Sequence, residues 1–493
     1  MYVPRGFGYS EVGDIEVFPL GDELHLFHLT LPNHDLVQHA VTTDGLSWRG
    51  LPAALRTSDP GACDDDQIWT MSVTEHDGEY IMLYTALGKA DDGQVQRTGS
   101  AVSTDLFSWT KSDRNPVAAA DSRWYEASRD DSGRVSWRDP KPVRHDGTYY
   151  AAVCAREKDG PLLRRGCVGL MTSTDLQTWE VRPPLFTPRR YWDLECPQVF
   201  TINGTFYLTA GIMEDRTQRY WMATSITGPY LVPPDGGVLA PLGHYAGRLC
   251  TWQGRHLYLC WHRPGRQDGP VDVDWTTMVN TAGKFVVAPL VLAQREDGSL
   301  RCERFPGWAA YQETPLSEPP GMTTSRLRGS PILPASPWSL TASPGEMDLL
   351  LTESDVQDVY AEGTIHLDAT IGGLAFRVDA ESSAGYFIEL QAGAREVILK
   401  KWLLIRDQWS GQPWFRMEIL QRGTLNQPFP ASTPVAFTLI LSGPYIELAL
   451  AGEVVLATLS GERQSGRLGP WTESGTITVR DFRAAPLRPL QHR

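Results

Sequence analysis

The sequence predicts an all-β chain, a five-bladed β-propeller followed by a β-sandwich domain, and three observations carry that prediction. Tight-turn dipeptides recur between alternating apolar runs. A strand ending in Trp or Tyr recurs behind them. A Pro-rich stretch then separates these repeats from a second set of alternating strands. The composition agrees, because 17 Trp, 45 Gly and 36 Pro in 493 residues favour strands and turns over long helices.

The hairpins come first along the chain. The alternating runs turn at Gly21-Asp22, Asp77-Gly78, Asp146-Gly147, Asn203-Gly204 and Gln253-Gly254. Asp-Gly and Asn-Gly between such runs are strong hairpin signals, because both central residues tolerate positive φ. That turn role also accounts for the glycosylation-like triplet Asn203-Gly204-Thr205. Third strands follow as "HAVTTDGLSW", "SAVSTDLFSW", "GLMTSTDLQTW" and the degenerate "YWMATSITGPY", with "DWTTMVNTAGKF" weaker still. Short apolar strands close the units: "LPAAL", "NPVAAA", "PPLFTP", "GVLAPL" and "APLVLA". Five such units read as propeller blades, each burying its faces against its neighbours. Trp48, Trp109 and Trp179 share one position in the unit, so they are expected to pack between blades rather than to stack on sugar.

The repeats end near residue 310. Residues 311–344 carry seven Pro and read as an extended linker. Residues 345–493 return to alternation in "GTIHLDA", "GYFIEL", "REVILKKW", "VAFTLIL", "YIELALA" and "TITVRDF", which reads as a two-sheet sandwich.

A formal net charge of −14 argues against a nucleic-acid or anionic-membrane partner. No apolar run approaches the roughly 20 residues that cross a bilayer. The opening "MYVPRGFGYS" lacks a signal-peptide core, and seven scattered Cys are no disulfide framework, so a cytoplasmic location is expected. A chain already trimmed of a leader would read the same way. No CxxC pair, HExxH, GxSxG or GxxxxGK[ST] is present, and no cofactor or metal is called for.

Counting back from the turns singles out three acids. Asp14 lies eight residues before Asp22, Asp139 eight before Gly147, and Glu195 nine before Gly204. The matching positions in the other two units fall near Thr70 and Ala246. Acids at one phase of a closed repeat converge on its axis, where inner strands open onto a funnel. Such a cluster suits cation binding, proton relay or glycoside cleavage, the last requiring one protonated and one ionised carboxyl. Tyr191, Trp192, Leu194 and Cys196 give Glu195 apolar neighbours, which would raise its pKa. Arg138 would keep Asp139 ionised, and Gly13 would leave room for a substrate carbon beside Asp14. Other candidates for lining the funnel are Asp66, Gln67 and Trp69 in "CDDDQIW", His34 in "NHD", Trp192, Asp193 and His244; for the Asp triplet and Arg164-Arg165 a solvated surface is the favoured reading.

With these residues in view, the chain resembles glycoside hydrolase family 32, the β-fructofuranosidase family of propellers with a C-terminal sandwich. "WRDP" at Trp137–Pro140 resembles the family's RDP motif and "LECPQVF" its EC motif. "QIWTMSV" resembles the blade-two motif and "QHAVTTDGLSW" the GHAVS-type strand. The resemblance implies Asp14 as nucleophile, Asp139 as transition-state stabiliser, Glu195 as acid/base and Arg138 as a sugar contact. It implies retention of configuration, with the reacting pair about 5–5.5 Å apart rather than about 6.5–9.5 Å. The implied partner is a furanoside disaccharide or oligosaccharide, and the oligomeric state is left open. There are departures: "EVGDIEVF" lacks the Trp, Asn and Pro of the family's WMNDPNG, Met71 replaces a Gly, and Val37-Gln38 replaces Trp-Gly before His39. Three alternatives remain open: an inverting arabinofuranosidase or xylosidase of the family 43 type, a fructosyltransferase, and a non-catalytic sugar-binding propeller. Product configuration separates the first, acceptor affinity the second, and an acid that fails to face the funnel the third.

Overall fold

Alternation around turns that demand positive φ should give hairpins, and the computed structural model of the chain contains all five. It describes residues 2, 11–31, 33–262, 285–313, 322–323, 337–353, 355–406, 410–431 and 433–491. Both residues are left-handed at Asp77-Gly78, Asp146-Gly147, Asn203-Gly204 and Gln253-Gly254, and Gly21 has φ +57°. Among the described residues there are strands and short 3-10 turns but no α-helix.

Four antiparallel sheets follow one another and share a propeller arrangement. The first runs from Glu11–Leu20 to Arg49–Arg56, and the second begins at Gln67–His76. The third begins at Trp137–His145 and the fourth at Leu194–Ile202. A further set begins at His244–Trp252 and reaches Leu300–Arg304, where Glu303 pairs with Glu453 of the C-terminal half. The five leading strands pack side by side in chain order, and the last returns to the first. Apolar clusters fill the seams between sheets. Phe27 and Leu29 meet Ile68 and Met82, Ile81 and Leu83 meet Trp137 and Val153, and Ala152 and Val168 meet Leu194 and Leu208.

The recurring Trp belongs to these seams. Thr42, Ser103 and Ser173 begin a turn in which Asp44, Asp105 and Asp175 accept two backbone N–H groups each. Trp48 is buried, and Trp109 and Trp179 rest on the seam clusters while donating to Leu106 O and Leu176 O. The fourth unit departs from expectation. "GVLAPL" forms no strand, because Gly237 at φ +75° turns the chain so that only Val238 bridges to Arg219. The expected strand "DWTTMVNTAGKF" lies almost wholly outside the described residues, as does most of the proposed linker. Residues 338–344 join a strand, Trp338–Leu349, paired with Arg467–Pro486, so extended structure resumes before residue 345.

The C-terminal half holds its own core of Leu340, Leu367, Phe376, Ile388, Leu448 and Leu456. Its long strand Val359–Val378 pairs with Val435–Ser442 near its start and with Ala384–Gln391 near its end. Against the first half, Trp308 stacks on Tyr445 and the Arg304 guanidinium lies 5.0 Å from the Tyr360 ring centre. Glu447 is fully buried at this seam; Tyr445 donates to its Oε2 and its Oε1 has no hydrogen-bond partner. Burial pushes the Glu447 carboxyl up to about 7, against the opposing pull of Tyr445 and Arg304. The folded chain thus binds this proton more tightly than the unfolded chain. The resulting stability is complete below about pH 4.5 and lost as pH rises through about 7. Glu447→Gln is therefore expected to lie within about 1 kcal/mol of wild type in urea at pH 5 and to exceed it by about 3 kcal/mol at pH 8. Equal pH dependence of the two proteins would refute the assignment.

Candidate active site

Every leading strand breaks register at one place. The shifts fall between Val12 and Ile15, Trp69 and Met71, Arg138 and Lys141, Glu195 and Gln198, and Tyr245 and Arg248. A bulge bends its strand and re-aims side chains. Eight residues before the second turn residue stand Asp14, Thr70, Asp139, Cys196 and Ala246; one residue earlier stand Gly13, Trp69, Arg138, Glu195 and Tyr245. Asp139, Cys196 and Ala246 take φ values of +60°, +47° and +50°. Glu195 is therefore not the phase mate of Asp14 and Asp139; Cys196 is. The acids occupy two adjacent layers rather than one ring.

In the deeper layer, Asp14 Oδ2 accepts from Thr70 Oγ1 at 2.5 Å and from the Cys196 thiol at 3.5 Å. Its Oδ1 accepts from Trp261 Nε1 at 2.9 Å. Asp139 Oδ2 accepts the Cys196 N–H at 2.8 Å, while the Asp139 N–H reaches Thr85. A carboxylate oxygen from each Asp and the Cys196 sulfur lie within 4.8 Å of one another. Asp139 is 1% exposed and its Oδ1 has no hydrogen-bond partner. Burial pushes its carboxyl up; Arg138 opposes this shift and Asp14 adds to it. Burial, with both acids, also holds the Cys196 thiol far above its usual range, so it serves as a donor.

In the outer layer, Glu195 Oε1 accepts from Arg138 Nη2 at 2.8 Å and Oε2 accepts from Tyr245 O–H at 2.5 Å. The expected apolar pocket is thus absent. Leu194 points into a seam cluster, and Trp192 stacks against the Arg156 guanidinium, 3.8 Å from its ring centre. Tyr245 and Trp261 pack edge to face with centroids 5.9 Å apart, so neighbouring rings serve Glu195 and Asp14. The space beside Gly13 goes to packing instead of substrate, since a Cβ there would lie 2.9 Å from Leu29 Cβ.

A charged layer lies two positions further along the leading strands. Glu16 is fully buried, pairs with Lys141, and lies 3.5 Å from Arg248 Nε. Arg248 Nη1 donates to Cys196 O and Pro197 O at 3.2 Å, fixing the bulge that carries Glu195. To one side, Asp193 is fully buried, with Oδ2 accepting from Arg134 at 2.6 Å and Arg138 at 2.7 Å. It is thereby committed to guanidinium groups rather than open to a sugar.

The other candidates divide. Gln67 accepts from Trp69 Nε1 at 2.6 Å, and His34 stands 5.5 Å from the Trp69 ring, so these three form one cluster beside Thr70. Asp66 turns toward Gly93 instead, where an added Cβ would meet its Oδ2 at 2.5 Å. Asp64 and Asp65 are structural, the first bound to Lys111 and Tyr84, the second to Gly61 N and Lys89 N. Arg165 pairs with Asp131 near the surface. His244 is buried edge-on to His262, both ring nitrogens lack partners, and burial lowers it to about 4. It is not part of the carboxylate group; its neighbour Tyr245 is. Sequence reasoning missed Tyr245, Trp261, Arg134 and the donor role of Cys196. Tyr245 was within reach of the same turn count, one residue before Ala246.

The sequence profile described as glycosyl hydrolases family 32 N-terminal domain matches residues 17–278, beginning just after Asp14. A fructan 1-exohydrolase of Aegilops speltoides is 29% identical over 205 residues, 39% of this chain and 32% of that protein. An insoluble β-fructofuranosidase isoenzyme of Arabidopsis thaliana is 30% identical over 177 residues, 34% of this chain and 28% of that protein. The chain thus spans about a third of the length of the curated relatives it matches. The crystal structure of fructan 1-exohydrolase IIa from Cichorium intybus superposes with a TM-score of 0.69 at 14% identity, covering 100% of this chain and 97% of that one.

Proposed function

Because this chain belongs to glycosyl hydrolase family 32, we propose that it hydrolyses β-fructofuranosidic bonds with retention of configuration, taking sucrose, fructo-oligosaccharide or fructan as substrate. The observation that carries this reading is the pairing of Asp14 with Trp261 and Glu195 with Tyr245 on two packed rings. Two carboxylates held apart on one wall suit attack from below and protonation from above. Asp14 attacks the anomeric carbon as the glycosidic bond breaks, and Glu195 passes its proton to the departing oxygen. Glu195 then takes a proton from water, whose oxygen displaces Asp14. Asp139, with one oxygen unpartnered, stabilises the positive charge developing on the sugar ring, and Arg138 holds hydroxyl groups.

The finer architecture belongs to the same reading. Five blades spanning 1–310, a linker from residue 311 that ends by Trp338 and a sandwich beyond it accord with five leading strands in cyclic contact, a separate C-terminal core and the strand Trp338–Leu349 paired within that half. Seven cysteines without a disulfide favour a reducing, cytoplasmic setting. The test is a panel of sucrose, inulin, levan and arabinofuranosides with products followed by NMR. Release of fructose is expected; turnover of arabinofuranosides alone would overturn the proposal in favour of the family 43 type, and no turnover at all in favour of a binding protein.

A further inference from the structure

We propose that Asp193 is a positioning residue that sets how much of the Arg138 charge Glu195 receives. Arg138 is 3% exposed, and its Nη2 donates to both Asp193 Oδ2 at 2.7 Å and Glu195 Oε1 at 2.8 Å. One guanidinium edge therefore joins the two carboxylates. Asp193 is itself divided, because Arg134 Nη2 donates to the same Oδ2 at 2.6 Å, and Arg156 Nη1 approaches Oδ1 only to 3.9 Å. Arg156 is otherwise engaged by Glu126, Trp192 O and Leu162 O. The result is a line of alternating charge, Arg134, Asp193, Arg138, Glu195, running from the partly exposed Arg134 to the reacting acid.

Charges this close and this buried are weakly screened, so each member of the line biases the next. Asp193 opposes ionisation of Glu195 in two ways. It adds a negative charge nearby, and it draws on the guanidinium that would otherwise serve Glu195 alone. Arg134 moderates both effects by partly neutralising Asp193. The other groups around Glu195 are Arg138 and Asp139 on the third leading strand, Asp14 on the first, Tyr245 on the fifth with Arg216 5.7 Å from its ring centre, Cys196 on its own strand, and Cys154 behind Arg138. None of these is altered by the substitutions below.

The inference rests on Glu195 serving as the acid, and its consequence is a pair of opposite displacements. Asp193→Asn keeps the side-chain shape and removes a negative charge, so Glu195 should lose its proton at lower pH. Arg134→Gln removes the moderating cation, so Glu195 should keep its proton to higher pH. The alkaline limb of kcat/KM against pH should move down by roughly one pH unit in the first variant and up in the second. A merely structural role for Asp193 would lower activity without moving the limb. The titration of the Glu195 carboxyl carbon, followed by carbon-13 NMR and assigned with Glu195→Gln, should show the same two displacements whether or not a substrate turns over. Opposite NMR displacements without hydrolysis would retain this inference and sink the proposed activity. Midpoints unchanged in both folded variants, or displaced in the same direction, would overturn it.

Discussion

Asp14→Asn is expected to lower kcat on fructofuranosides by about four to six orders of magnitude while the protein stays folded. Both Asp14 oxygens are held, Oδ1 by Trp261 and Oδ2 by Thr70 and Cys196. Trp261 Nε1 can only donate, so the Asn carbonyl must face it and the amide nitrogen must face Thr70, whose hydroxyl can accept instead. The site thus accommodates the amide with little rearrangement. What disappears is the atom proposed to bond to sugar carbon, and the buried Cys196 thiol beside it, held protonated, does not replace it. Near-ultraviolet circular dichroism should match wild type. Activity within tenfold of wild type would remove Asp14 from the chemistry.

Glu195→Gln should lower kcat/KM by about two to four orders of magnitude on sucrose, where the departing alkoxide needs a proton. On an aryl fructofuranoside with an acidic leaving group, bond cleavage should be nearly spared, leaving only the second step impaired. Arg138 and Tyr245 can still meet the amide, the first at its oxygen and the second as acceptor from its nitrogen, so orientation survives while proton transfer does not. Equal losses on both substrates would mean that Glu195 holds substrate rather than protonating it.

These assignments were legible in the chain to different depths. The hairpins were plain, since Asp-Gly and Asn-Gly announce positive φ without any tertiary information. Asp14 and Asp139 followed from the same turn count. Glu195 followed from that count as well, but its nine-residue offset concealed a different layer, because the left-handed residue at Asp139, Cys196 and Ala246 leaves no mark in composition. His39 illustrates a loss of another kind: despite its place in a family-like strand it is buried against His25, 2.9 Å away, and stacked on Phe27. Tyr245 and Trp261 come from the last repeat, where the pattern is weakest, so their meeting with acids 50 and 247 positions earlier is a product of ring closure. Asp193 looked like a sugar ligand because three arginines distant from it in sequence cannot be seen converging on it.

The division of labour between Asp14 and Glu195 is tested most directly by running the reaction on sucrose in aqueous methanol and determining the configuration of the methyl fructofuranoside by NMR. That product does not mutarotate, so it preserves the stereochemistry of the step that forms it. Displacement of Asp14 from a covalent intermediate predicts methyl β-fructofuranoside. The α anomer would mean that the acceptor attacks the substrate directly, and the nucleophile assigned here would be wrong.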